Sequence, residues 1–146
     1  MGEARKVARK VVWSVTDAPM LESPDGGMRD TVLVTDDSCG ARDVSAGQVW
    51  VKPGFEIHED THSFDEVYYV VAGKAQLILA GEPHEMEAGD IVYIPNGVRH
   101  KILNPNSETF HIAWIISTIW SSMPDVKAEL GKWPTVDATK GWHKAK

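Results

Sequence analysis

The chain has 146 residues, with 15 Lys and Arg against 21 Asp and Glu for a formal net charge of -6, and Cys39 is its single cysteine. An acidic balance argues against a nucleic-acid partner, because that binding is driven by a concentrated basic surface. One cysteine forbids an intramolecular disulfide and gives no sign of an oxidising compartment, so a cytoplasmic protein acting on a small molecule is expected.

The basic N-terminal stretch around Lys6, Arg9 and Lys10 runs into Val11, Val12 and Trp13, an apolar run too short for a secretion signal or a membrane span. Lys6 stands where a myristoylation motif would need Ser or Thr, so no membrane association is expected. From there, Val-, Ile- and Tyr-rich segments recur at 31–34, 47–51, 67–72, 75–80, 91–94, 100–104 and 110–116, separated by Gly, Pro and Asp clusters. This spacing predicts an all-β domain with hairpins at Gly73-Lys74, Gly81-Glu82-Pro83 and Pro105-Asn106. Segments 17–28 and 36–45 read as loops, and only Pro124 to Leu130 reads as a helix, peripheral and stopped at Gly131. One domain is expected: an extension with the first strands over 1–30, a barrel core over 31–120, and a helix and tail over 121–146. Trp133 and Trp142 are expected to pack back onto the barrel or onto a second subunit.

The segment from Pro53 to Glu66 concentrates two histidines and five carboxylates before an apolar strand. If it is extended, His58, Asp60, His62 and Glu66 share one face; a bulge or turn would change that parity. A second cluster, from Gly89 to Asn104, is a strand, a Pro-x-Gly turn and a strand opening with His100.

These two stretches resemble the motifs of the cupin superfamily. Its second motif, G-x5-P-x-G-x2-H-x3-N, is matched by Gly89, Pro95, Gly97, His100 and Asn104. Its first, G-x5-H-x-H-x3,4-E-x6-G, is matched by Gly54, His62, Glu66 and Gly73, with Asp60 in place of the first histidine. The resemblance implies a jelly-roll β-barrel in which His62, Glu66 and His100 hold a divalent transition metal, iron foremost, with manganese, zinc or nickel as alternatives. The fourth position stays open: Asp60 as a ligand, Asp60 unligated beside a two-histidine, one-carboxylate triad, or His58 swung in. Asp60 and His58 are also the candidate proton carriers.

His58-Glu59-Asp60-Thr61-His62 spells H-E-x-x-H, but that zinc-protease signature requires a helix, and the flanking Pro53-Gly54 and Val67-Val71 predict strand. Tyr68 shares the parity of Glu66 and is a candidate catalytic group lining the pocket, with Tyr69 outside. Arg99 is a candidate for pairing a substrate carboxylate or phosphate. Gln48 and Trp50, neighbours on one strand face, are candidates for reaching the pocket. His84, His111 and His143 are left outside the site. The run 112–116, apolar on both faces, suits a strand buried between sheets or in a homodimer.

The activity expected is that of a metal-dependent enzyme on a small polar organic molecule, with non-haem iron oxygenation placed first. Metal-dependent isomerase, lyase or decarboxylase chemistry is the alternative, and a non-catalytic, sugar-like binding module is the other class.

Overall fold

The computed structural model describes residues 10–140; the basic stretch at 1–9, Trp142 and His143 lie outside the described residues. In chain order the elements are β1 (Met20–Glu22), β2 (Met28–Val34), the one-turn helix α1 (Asp36–Cys39), β3 (Ser45–Val51) and β4 (Glu56–Asp60). They continue with β5 (Glu66–Ala72), β6 (Lys74–Leu79), β7 (Glu82–Glu87), β8 (Ile91–Ile94), β9 (His100–Leu103) and β10 (Phe110–Ile116). A 3-10 turn (Trp120–Ser122), α2 (Pro124–Gly131) and β11 (Thr135–Val136) complete the fold. No helix among the described residues is long and apolar enough to cross a membrane.

The strands form a seven-stranded sheet, ordered β11-β1-β2-β3-β10-β5-β8, and a four-stranded sheet, ordered β4-β9-β6-β7, with every pairing antiparallel. Alternation decides what lies between them. On β10, Phe110, Ile112, Trp114 and Ile116 are buried while the intervening residues turn outward, and Val70, Leu77 and Ile102 complete the same core from β5, β6 and β9. Burying each such side chain contributes about 1.5–3 kcal/mol. A smaller cluster of Val15, Met20 and Trp50 forms on the outer face of the larger sheet, packed by Val136 and Ala138.

Two of the three hairpins expected from turn chemistry are corners instead. Gly73 connects β5 of the larger sheet to β6 of the smaller, and the Pro105-Asn106 segment connects β9 back to β10, so each carries the chain between layers. Gly73 has a positive φ of 81°, and a Cβ there would crowd the Thr109 carbonyl. The hairpin at Gly81 is real, but its turn is Ala80-Gly81, both at positive φ, and Glu82 and Pro83 already belong to β7. That strand is charged and exposed because it is an edge, where proline is tolerated and charge discourages further pairing. The charge is also why it does not read as a strand in sequence.

Gly47 sets how closely the centre of the larger sheet can pack. It lies between Val32 on β2 and Trp114 on β10, and a Cβ there would collide with the Thr31 carbonyl and the Trp114 indole. The Gly47→Ala variant is expected to lose about 1–3 kcal/mol of stability, measured by chemical denaturation. An unchanged midpoint and slope would show that the sheet yields freely there.

Candidate metal centre

Both sheets supply the centre. β4 pairs with β9, but their register shifts between Ile57 and Asp60 and β4 ends at Asp60, so strict alternation does not continue to Glu66. Residues 61–65 form a loop that carries His62 into the barrel mouth, and Glu66 opens β5 in the other sheet. His100 opens β9, where the turn through Gly97 (φ 80°) delivers it. The two segments are tied to each other: Gly97 N donates to the His62 carbonyl (2.9 Å), and Asn96 N and the Tyr93 hydroxyl each donate to Asp65 Oδ1 at 3.0 Å. His62 is further held by stacking on Phe64, with ring centroids 3.9 Å apart.

The result is a convergence of three donors. Nε2 of His62 lies 3.3 Å and Nε2 of His100 3.6 Å from Glu66 Oε1, and donor atoms of all three lie within 4.8 Å of one another. Nδ1 of His62 is 3.2 Å from the Phe64 carbonyl and Nδ1 of His100 is 2.9 Å from the Val98 carbonyl. A carbonyl can only accept, so the ring proton sits on Nδ1 and each Nε2 faces the centre. Metal–ligand bonds of about 2.0–2.2 Å leave adjacent donor atoms about 3 Å apart, close to these separations. The set of two imidazoles and one carboxylate therefore fits a divalent transition metal.

Electrostatics reinforce the grouping. Burial acts to lower the His62 pKa, but Glu66, through a hydrogen bond that the ring gives from Nε2 only when protonated on both nitrogens and through its charge, outweighs it and holds it above the usual imidazole value. Tyr68 is buried and its hydroxyl donates to Glu66 Oε1 at 2.9 Å; burial first, and the Glu66 charge second, push its pKa well above the ordinary phenol value. The phenol thus stays protonated as a donor. Asp30, on the inward face of β2, is buried, and its Oδ1 accepts from Trp114 Nε1 at 3.2 Å. Burial drives its pKa from 3.8 to about 7, against the Trp114 hydrogen bond and with help from the Glu66 charge.

The other sequence-derived candidates are placed differently. Asp60 faces His100 in register and lines the same cavity, but it is exposed, its Oδ1 accepts from Thr61 N at 2.8 Å, and it is not one of the three clustered donors. His58 sits at the cavity edge with its side chain 83% exposed and its Nδ1 3.2 Å from Glu56 Oε1, because Ile57, opposite Ile102, is the residue packed on the core and alternation turns its neighbour outward. The H-E-x-x-H string lies on β4 and the following loop, without a helix. Arg99 is exposed and reaches Glu59 at 3.4 Å, outside the cavity lining. Gln48 and Trp50 need correction: they share a face with each other, as expected, but it is the outer one. Trp50 stacks on His111 and the Gln48 amide oxygen lies 2.7 Å from His111 Nε2, while Val49, of opposite parity, lines the cavity.

The cavity has a volume of about 500 Å3. The three donors, Tyr68 and Asp30 form its polar part, and Val49, Ile112, Trp114 and Trp120 are among its apolar walls. Although α2 lies outside the sheets, it closes the mouth: Asp125, Val126, Glu129 and Leu130 line the cavity, and Trp133 follows them. Asp30 escaped sequence reading because the strand signal begins at Thr31. A lone acid alternating with Met28 and Val32 before that run was the available clue.

Residues 47–116 match a family model described as a cupin domain. Protein SchB of Streptomyces halstedii is 34% identical over 60% of this chain and 63% of its own length. Dimethylsulfoniopropionate lyase DddW of Ruegeria pomeroyi is 29% identical over 51% of this chain and 49% of its own. The chain thus spans about half to two-thirds of the length of these two relatives. Among solved structures, a cupin 2 conserved barrel domain protein from Salinispora arenicola superposes with a TM-score of 0.57 at 29% identity, covering 69% of this chain and 82% of that one.

The buried Asp30 carboxyl makes stability depend on pH. Its folded pKa of about 7 exceeds the unfolded 3.8, so the folded chain retains a proton that the unfolded chain has lost. Stability from this group is present below pH about 4 and is lost as pH rises to about 7, by up to about 4 kcal/mol. In chelator-treated protein, Asp30→Asn is therefore expected to flatten the fall in melting temperature between pH 4 and 8. Parallel curves for the two proteins would rule out the assignment.

Proposed function

The chain belongs to the cupin superfamily, and on that premise we propose that it is a metal-dependent enzyme acting on a small organic molecule, with His62, Glu66 and His100 holding the ion. The observation that carries this reading is the two-imidazole, one-carboxylate cluster opening onto the cavity, a set that leaves coordination positions for substrate. A divalent transition metal bound there supplies Lewis acidity and, as iron, redox chemistry with dioxygen.

The chain's own residues do the rest. The Phe64 and Val98 carbonyls fix the two imidazoles in one tautomer. Tyr68 donates to Glu66 and orients its carboxylate. The apolar walls and the α2 residues at the mouth shape the space above the polar floor. Iron-dependent oxygenation is the leading chemistry, because the triad with open positions is the pattern associated with it. Proton-transfer chemistry of the isomerase, lyase or decarboxylase kind is the second reading. It is favoured by Asp30, a buried acid with a pKa of about 7 in the same cavity. A lyase among the relatives agrees with it.

Metal analysis of purified wild type and variants tests the centre. His100→Ala, His62→Ala and Glu66→Gln are each expected to lose most bound metal, with affinity falling at least about 100-fold, while His58→Ala and Asp60→Asn keep it. Unchanged metal content in His100→Ala would overturn the ligand set. On the loaded protein, iron with substrate-dependent oxygen uptake supports oxygenation, whereas anaerobic turnover supports proton transfer; in the second case Asp30→Asn is expected to slow turnover about 100-fold or more with metal retained. Tight ligand binding without product under either condition would replace the enzyme reading with a binding module.

A further inference from the structure

The charges around the cavity are one-sided. Six carboxylates line it, namely Asp30, Glu59, Asp60, Glu66, Asp125 and Glu129, and among the described residues no Lys or Arg does. A second opening beside α2, bordered by Ser63, Asn96 and Thr118, shares Asp60, His62 and Asp125 with the first and likewise has no Lys or Arg on its wall. Two of these carboxylates have a cation as partner, Glu59 with Arg99 at 3.4 Å and Glu129 with Lys132 at 3.5 Å, both pairs exposed. Such surface pairs are weak, and among the described ion pairs none offsets Asp30, Asp60 or Asp125. Asp30 keeps its proton up to pH about 7, and a divalent ion at the centre balances Glu66 and one further carboxylate, so the negative charge of the rim comes from the rest of Glu59, Asp60, Asp125 and Glu129.

The walls between floor and rim are aromatic. Trp114 and Trp120 stack with centroids 5.9 Å apart, and Phe64, Tyr68 and Trp133 face the same space. Faces of this kind accept rings and organic cations, while carboxylates around a cavity with apolar walls focus a field that repels anions.

We propose that this cavity selects a ring-bearing organic molecule that is uncharged or cationic, and discriminates against anionic analogues of the same size. The proposal rests on the metal-centre reading for which cavity is the active one, but the selectivity resides in residues that are not metal ligands. Arg99, the one side chain that sequence suggested for a substrate carboxylate, takes no part.

The probes are naphthylmethanol, naphthylmethylamine and naphthoate, which share a ring system and differ in charge, titrated calorimetrically into both metal-loaded and chelated full-length protein. The alcohol and the amine are expected to bind at least about tenfold more tightly than naphthoate in both states, with the gap narrowing as salt is raised toward about 0.5 M. Asp125→Lys/Glu129→Lys, placed on exposed positions of α2, is expected to abolish the discrimination against naphthoate. Naphthoate binding as tightly as the alcohol in the chelated protein, a salt-independent gap, or no binding of any probe would each overturn the proposal. Because the ranking is read without the ion as well as with it, failure of the ligand set leaves this result standing, and failure here leaves the ligand set standing.

Discussion

The hydrogen bond from Gly97 N to the His62 carbonyl joins two segments whose sheets are otherwise separate layers at this end of the barrel. Glu66 begins a strand of the seven-stranded sheet and His100 begins a strand of the four-stranded one, so their side chains meet only if the layers close over the mouth at a set distance. Asp65, which receives Asn96 N and the Tyr93 hydroxyl on one oxygen, holds the same closure from the other side. Three donors on one point are thus a property of the closure, and the loop 61–65 transmits it to His62.

A second dependence runs through the wall of the cavity. Gly47 has no side chain, so the Trp114 indole lies against β3 and reaches across to donate to Asp30. Trp120 then stacks on Trp114 and leads into α2, which covers the mouth. A missing Cβ on one strand therefore sets the position of a buried acid, an aromatic wall and the cover together. Without the Trp114 donor, the buried Asp30 carboxyl would keep only its Thr31 backbone hydrogen bond, a cost of about 1–3 kcal/mol.

Chemistry follows from the contrast between floor and walls. Imidazole and carboxylate donors that are oriented by backbone carbonyls and a phenol are preorganised, so they need no reorganisation to receive an ion or a ligand. The apolar walls above them hold a ligand by area, and the acids at the rim sort it by charge. Binding, orientation and proton handling thus fall to different residues of one cavity.

The three clustered donors were legible in sequence because each sits in a short motif whose glycines and proline set the local chain path: Gly89, Pro95 and Gly97 before His100, and Gly54 and Gly73 around His62 and Glu66. The all-β character was equally legible, since alternation and β-branched content are local signals. Local signals end there. That Gln48 and Trp50 face outward while Val49 faces the cavity, that the pairing of Ile57 with Ile102 leaves His58 toward solvent, and that Gly73 is a corner between sheets all depend on which strands pair and in what register. Asp30 and α2 enter the cavity through contacts with residues about eighty or more positions away in the chain or across the barrel mouth. The resemblance to the two cupin motifs implied the donor set, and local alternation gave the class of fold, so both could be read before any strand was paired. The surroundings of the donors came from strand pairing and packing alone, because a one-residue change of register exchanges the faces of a strand and leaves no mark in its composition.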